Sequence, residues 1–188
     1  MSSTSKTNQL RIIGGTWRGR KLSFPDLPGL RPSPDRVRET LFNWLAPVIA
    51  GARCLDLFAG SGALGLEAAS RGAAEVVMVE CNRDAVHALH HHVDRLNAVD
   101  VQVWEGDAMQ YLRGPVAPFD VVFLDPPFGS DLLDQSMRAL TGKDWLLPGS
   151  YIYLEVKRGI SLSLPEGWDL FRSKTAGQVS YHLARVRS

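Results

Sequence analysis

Residues 53–71 run RCLDLFAGSGALGLEAASR, an apolar segment, a glycine-rich turn and a helical pattern in immediate succession. Cys54–Phe58 reads as a buried strand, and Gly62–Arg71 as the helix that follows it. The same order recurs downstream. Val76–Glu80, Val101–Trp104, Asp120–Leu124 and Tyr151–Val156 are short apolar strands. Helices are predicted between them over Asp84–Asn97, Ala108–Leu112 and Asp131–Thr141. Trp168–Arg187, with Gly177 between two alternating segments, closes the chain as an antiparallel hairpin. Strands that alternate with helices and lack a polar face predict an α/β fold, its mostly parallel sheet covered on both sides.

Upstream of this unit the composition changes. Residues 1–9 are polar and read as a disordered tail. Leu10–Leu22 reads as a small hairpin bearing Arg11, Arg18, Arg20 and Lys21. A Pro/Gly stretch follows, and Ser33-Pro34 is expected to cap a helix in which Val37, Leu41, Trp44, Leu45 and Val48 recur at helical spacing. Residues 1–40 hold eight Lys/Arg against three Asp/Glu, while the rest hold 13 against 17, so a net charge of +1 conceals a basic arm on an acidic body. Such an arm suits a polyanionic partner. The chain divides into the tail 1–9, a basic hairpin and linker 10–30, and a main α/β domain 31–188.

At 188 residues, 45% hydrophobic and 22% charged, the composition is that of one globular domain. No apolar run approaches the roughly 18 residues of a membrane span, and the N-terminus has no secretory apolar core. Cys54 and Cys81 form no disulfide framework or zinc pattern and read as buried thiols. These features predict a cytoplasmic protein. His87, His90, His91 and His92 with Asp94 read as a polar helix face, and no metal is expected.

The glycine turn invites a ligand. Gly60, Gly62 and Gly65 satisfy G-x-G-x-x-G, but Asp56 just before the turn would repel a diphosphate and would suit a ligand carrying an ammonium and a sulfonium. Glu80 closes the next strand 20 residues after Gly60, the usual reach for a carboxylate on ribose hydroxyls. Asp107 follows the third strand, where it can meet an adenine amino group. Three acids at adjacent strand ends outline a nucleoside crevice.

The fourth strand, VVFL, stops at Asp125-Pro126-Pro127-Phe128. An exocyclic base amine is a poor nucleophile because its lone pair is delocalised into the ring. Two acceptors, the Asp125 carboxylate and the Pro126 carbonyl, would fix its hydrogens and turn the lone pair toward a methyl donor. Residues before proline are held extended, so the double proline stiffens the loop. Phe128 offers a face for an extruded base.

Together, the Asp56 to Gly62 run, Glu80, Asp107 and the Asp-Pro-Pro-Phe loop resemble class I methyltransferases acting on amino groups. RIIGGTWRGRKL and LRPSPDRVRETLFNWL, near the N-terminus, resemble the RsmD-type family of bacterial 16S ribosomal RNA guanine-N2 methyltransferases. The resemblance implies a Rossmann-like seven-stranded sheet with helices on both faces, an antiparallel C-terminal hairpin and a small N-terminal β-hairpin. It implies S-adenosylmethionine as donor, held by Asp56, Phe58, Ala59, Gly60, Ser61, Gly62, Glu80, Asp107 and Ala108. It places Asp125, Pro126, Pro127 and Phe128 on the base, with 16S rRNA of the small subunit or its assembly intermediate as partner of a monomeric enzyme. Arg11, Trp17, Arg18, Arg20, Lys21, Arg31 and Arg36 are then the RNA-facing residues. Asn82 stands where the family pattern suggests an aspartate. Two rival readings are a methyltransferase acting on adenine N6 of DNA or RNA, or on a glutamine side chain, and a non-catalytic nucleotide-binding module. The second leaves the Asp-Pro-Pro-Phe loop without a purpose.

Overall fold

Residues 7–188 are described by the computed structural model. The elements in chain order are β1 Thr7–Arg11, β2 Lys21–Pro25, α1 Asp35–Leu45, β3 Arg53–Asp56, α2 Ala63–Ser70, β4 Glu75–Glu80 and α3 Arg83–Leu96. Then follow β5 Val101–Glu105, α4 Ala108–Arg113, β6 Phe119–Leu124, α5 Leu132–Thr141, β7 Leu146–Lys157, β8 Trp168–Ala176 and β9 Val179–Val186. Seven strands form one sheet in the order β5-β4-β3-β6-β7-β9-β8. The pairs among β5, β4, β3, β6 and β7 are parallel, and β9 pairs antiparallel with both β7 and β8.

Alternate side chains of each central strand enter opposite cores. Cys54, Met78, Phe123 and Tyr153 join one, and Leu55, Val79, Leu124 and Leu154 join the other. That is why these strands lack a polar face. Helices α1, α2 and α3 close the first core, whereas α4 and α5 close the second. From β3 the chain winds outward through β4 and β5, then crosses back to β6 on the other flank. The order reverses between β3 and β6, and the carboxyl ends of those two strands carry the glycine turn and Asp125. Crevices at such a switch point bind ligands in open α/β sheets.

The N-terminal hairpin forms a separate two-stranded sheet of β1 and β2. It begins earlier than its polar composition suggests. Thr7–Gln9 pair with Ser23–Pro25, so these three residues belong to a strand and not to a tail, while residues 1–6 lie outside the described residues. Backbone pairing is indifferent to polar side chains on an outer face, and Asn8 and Gln9 are exposed. Leu10, Ile12, Leu22 and Phe24 are buried in the first core, which fastens the hairpin over the helices. Each such burial contributes about 1.5–3 kcal/mol.

Four further expectations change. Pro34 occupies the N-cap position of α1 with no side-chain cap bond, and the Ser33 hydroxyl instead donates to Glu155 Oε1. Ser33 is buried, on the inner side of the linker before α1. His87, His90 and His91 are exposed, but His92 is buried with Nε2 2.7 Å from the Ser23 carbonyl oxygen of β2. Cys54 is buried, whereas Cys81 is exposed because the chain leaves the sheet immediately after Glu80. β7 also starts five residues before Tyr151, at Leu146, despite Pro148-Gly149. Ser150 bridges that break, its hydroxyl accepting from Leu147 N at 3.0 Å and donating to the Phe119 carbonyl at 2.8 Å.

Candidate active site

The turn after β3 is pinned from both sides. Ala59 N donates to the Val79 carbonyl at 2.9 Å, and Leu57 N to the Phe123 carbonyl at 3.2 Å. Gly62 lies at φ 79°, a left-handed conformation that only glycine adopts readily, and a Cβ there would sit 2.6 Å from Leu89 Cδ2. A Cβ on Gly60 would stand 2.7 Å from Leu30 Cδ1, so the linker before α1 lies over the turn. Ser61 is buried, and Phe58 packs half-buried against the second core.

Asp56 is buried beneath the turn. Its Oδ2 accepts from Gly65 N at 2.9 Å, and the Gly65 and Phe58 amides favour its charged form. Burial, with Glu80 adding like charge, raises its pKa to about 7 against the stabilising pull of the two amides. Glu80 joins the ends of two segments: Oε2 accepts from Gly60 N at 2.7 Å and Oε1 from Asn82 N at 2.8 Å. A carboxylate offers about four lone-pair sites, so vicinal hydroxyls can be added without displacing either amide. Asn82, the departure from the family pattern, caps α3 by accepting from Asp84 N at 2.9 Å and Ala85 N at 3.2 Å. Asp107 caps α4 in the same way through Oδ1, from Met109 N and Gln110 N, and Ala108 behind it is buried. Its second oxygen has no bond among the described residues. The donor set of this crevice therefore fits a nucleoside bearing a positive charge.

Asp125 is half-buried at the end of β6 and Pro126 is buried, while Pro127 and Phe128 project outward, Phe128 at 54% exposure. The Ser130 hydroxyl donates to the Pro127 carbonyl at 2.7 Å and braces the loop. Asp125 shares its surroundings with Glu155 and Asp56. Burial first, then those two negative neighbours, hold its carboxyl well above the usual carboxylate range. Glu155 Oε1 also accepts from Tyr153 Oη at 2.6 Å, which ties the strand beside Asp125 to Ser33. Position along the chain gave no hint of this group.

A second network left only a faint trace in the sequence. Glu67, fully buried in α2, accepts from Ile13 N and Gly14 N, both at 2.8 Å, and pairs with Arg71 at 2.8 Å and Arg38 at 3.5 Å. Arg38 reaches the Arg11 carbonyl at 3.0 Å, the Ser33 carbonyl at 3.2 Å and Asp35 at 2.6 Å. One acid within the apolar run LGLEAAS was the signal available. The network docks the hairpin and the linker on the catalytic body. It leaves Arg18, Arg20, Lys21, Arg31 and Arg36 exposed, without an ion-pair partner among the described residues. Arg11 is exposed 3.5 Å from Asp35, and Trp17 is half-buried against the first core.

A parallel sheet reversed at β3 and β6, a glycine turn after one and Asp-Pro-Pro-Phe after the other define a class I methyltransferase. The chain belongs to the family described as "Conserved hypothetical protein 95", which matches residues 10–185. It is 50% identical over 181 residues to the Ribosomal RNA small subunit methyltransferase D of Escherichia coli strain K12, covering 95% of this chain and 91% of that relative. The solved structure of yhhF from Escherichia coli superposes with a TM-score of 0.89 at 48% identity, over 96% of this chain and 99% of that one. The Thermus thermophilus 16S rRNA N2 G1207 methyltransferase RsmC, solved with AdoMet and guanosine, shares the fold. Its TM-score is 0.71 at 24% identity, over 99% of this chain and 52% of that one. Among the described residues no helix is long and apolar enough to cross a membrane.

Proposed function

We propose that this protein transfers a methyl group from S-adenosylmethionine to the exocyclic N2 of a guanine in 16S rRNA, in the small subunit or an assembly intermediate. It does so in the cytoplasm as a monomer. The observation that carries this reading is Asp125, set at the switch point beside the glycine turn and followed by a stiff, aromatic-tipped loop. The 50% identity to a small-subunit rRNA methyltransferase supports ribosomal RNA as the acceptor.

When bound, S-adenosylmethionine supplies an electrophilic methyl group on a sulfonium. Glu80 accepts from its ribose hydroxyls and Asp107 from its adenine, while Asp56 favours its positive charge from beneath the turn. The Asp125 carboxylate and the Pro126 carbonyl accept the two hydrogens of the guanine amine and aim its lone pair. Asp125 then faces the positive charge developing on nitrogen and receives the departing proton. Phe128 stacks on the extruded base. Catalysis is mainly positioning and electrostatic preorganisation.

The experiment is incubation with methyl-labelled cofactor and small subunits, protein-free rRNA, DNA or protein in parallel. Label enters rRNA; label in DNA or protein alone would overturn the reading.

Glu80→Ala removes hydrogen bonds from a charged acceptor worth about 1.5–3 kcal/mol each. Calorimetry is expected to give about 100- to 10,000-fold weaker cofactor binding with the fold retained. Unchanged affinity would remove Glu80 from the site.

Asp56 gives a pH dependence. Its folded pKa is raised to about 7, so the free protein loses stability as pH climbs from the ordinary carboxylate range through about 7 and a buried charge appears. A bound cation relieves that cost. The rise in melting temperature on adding S-adenosylmethionine is therefore larger at pH 8 than at pH 5.5. Equal shifts would show that Asp56 does not sense the ligand.

Neutralising Arg18, Arg20 and Lys21 is expected to weaken RNA binding and flatten its salt dependence, since each phosphate contact releases counterions. Retention of both affinity and slope would leave the arm a solubility feature.

A further inference from the structure

We propose that the outer surface of β8 and β9 is a second RNA-contacting strip, which extends the footprint of the N-terminal hairpin along the same side of the sheet. The proposal rests on RNA being the acceptor. β8 is the edge strand, and Asp169–Thr175 are all exposed. Edges are commonly guarded by isolated charges. This edge is more organised than a guard needs to be.

The β8–β9 register shifts between Leu170 and Arg172, and at this irregularity Phe171 packs against Tyr151 of β7, with ring centroids 5.5 Å apart and planes at 68°. The Arg172 guanidinium lies 4.3 Å from the Phe171 centroid, and that of Arg185 lies 5.5 Å from the Tyr151 centroid. Two adjacent rings are thus flanked by two arginines in one cluster. Lys174 lies two residues beyond Arg172, on the same face of the strand. None of Arg172, Lys174 and Arg185 has an ion-pair partner among the described residues, whereas neighbouring Arg187 is neutralised by Asp169 at 2.8 Å.

The strip shares its side of the sheet with the hairpin. Trp44 of α1 stacks on Tyr181 of β9 at 5.5 Å, and Asp35 at the other end of α1 pairs with Arg11 at 3.5 Å. An 11-residue helix spans about 16 Å, so one folded RNA element can reach both basic surfaces. Unneutralised cations flanking a ring pair whose outer member, Phe171, is exposed suit phosphates and an unstacked base.

The test uses the full chain carrying Arg172→Gln, Lys174→Gln and Arg185→Gln, titrated with protein-free 16S rRNA and with small subunits over a range of salt. Affinity for both falls at least tenfold. The slope of log affinity against log salt flattens by about 2 to 3, since each lost contact removes about 0.7–0.9. The loss falls on KM for RNA and spares kcat. Unchanged affinity and slope would reduce the strip to an edge guard and overturn the proposal. A loss with subunits alone would overturn it too, by pointing to a ribosomal protein. If the triple variant melts early, ultraviolet crosslinking of RNA to wild-type protein replaces it, and absence of a crosslink in residues 168–176 counts against the strip. Failure of the RNA reading itself looks different, because wild-type protein would then not label rRNA.

Discussion

Asp125→Ala is expected to lower single-turnover methylation by about 100- to 1,000-fold, with cofactor affinity nearly kept. The substitution removes one of two acceptors for the amine, together with the carboxylate facing its developing charge. A preorganised electrostatic contact of this kind is worth about 2.7–4 kcal/mol. Asp125→Asn keeps an acceptor oxygen and loses the charge, so it falls between wild type and Ala. A pH profile separates the two contributions. Burial and the charges of Glu155 and Asp56 raise the Asp125 pKa well above its ordinary value, and only the ionised form accepts both hydrogen bond and proton. The wild-type rate therefore climbs with pH through that raised pKa, and Asp125→Asn loses this limb. Glu155→Gln removes one negative neighbour, lowers the Asp125 pKa and moves the limb to lower pH. If Ala turned over like wild type, Asp125 would be a turn residue only. If Asn matched wild type while Ala did not, the aiming of the lone pair would matter and the charge would not.

The largest stability effect is expected at Glu67. Glu67→Ala removes the buried carboxylate between Arg38 and Arg71, leaves Arg38 with Asp35 alone as ion-pair partner, and leaves the Ile13 and Gly14 amides without their acceptor. Breaking a buried ion pair from one side costs about 3–5 kcal/mol. For a protein of this size each kcal/mol shifts the melting temperature by about 2–4 °C, so the expected fall is about 6–20 °C. The hairpin loses its anchor in the same step. Limited proteolysis is predicted to cut within residues 7–25 under conditions that spare wild type, and RNA affinity falls with it. A melting temperature within about 2 °C of wild type would show that apolar burial alone holds the hairpin.

The parts of the fold that were legible are those governed by local pattern. Apolar strands without a polar face, separated by helical segments, could only be the middle of a covered parallel sheet, and Gly177 marked the closing hairpin. The acids at the strand ends were legible because their spacing follows from strand and helix length. What escaped was decided by distant contacts. Ser33 looked like a cap and instead reaches Glu155, 122 residues away. His92 looked like one of a solvated row and faces Ser23 across the hairpin interface. Glu67, a single acid in an apolar helical run, is covered by two hairpin amides 53 and 54 positions upstream. A single sequence carries no signal for which polar side chain a remote segment will cover. The start of β1 escaped for a simpler reason, since exposed polar residues such as Asn8 and Gln9 look like coil.

The central claim is that this site methylates a guanine amine in small-subunit rRNA. Its most direct test is nucleoside analysis of 16S rRNA after reaction of purified protein with small subunits from cells lacking it. The account predicts that N2-methylguanosine is the single new modified nucleoside, formed at one position and lost with Asp125→Ala. N6-methyladenosine in its place, or label confined to protein, would contradict the account.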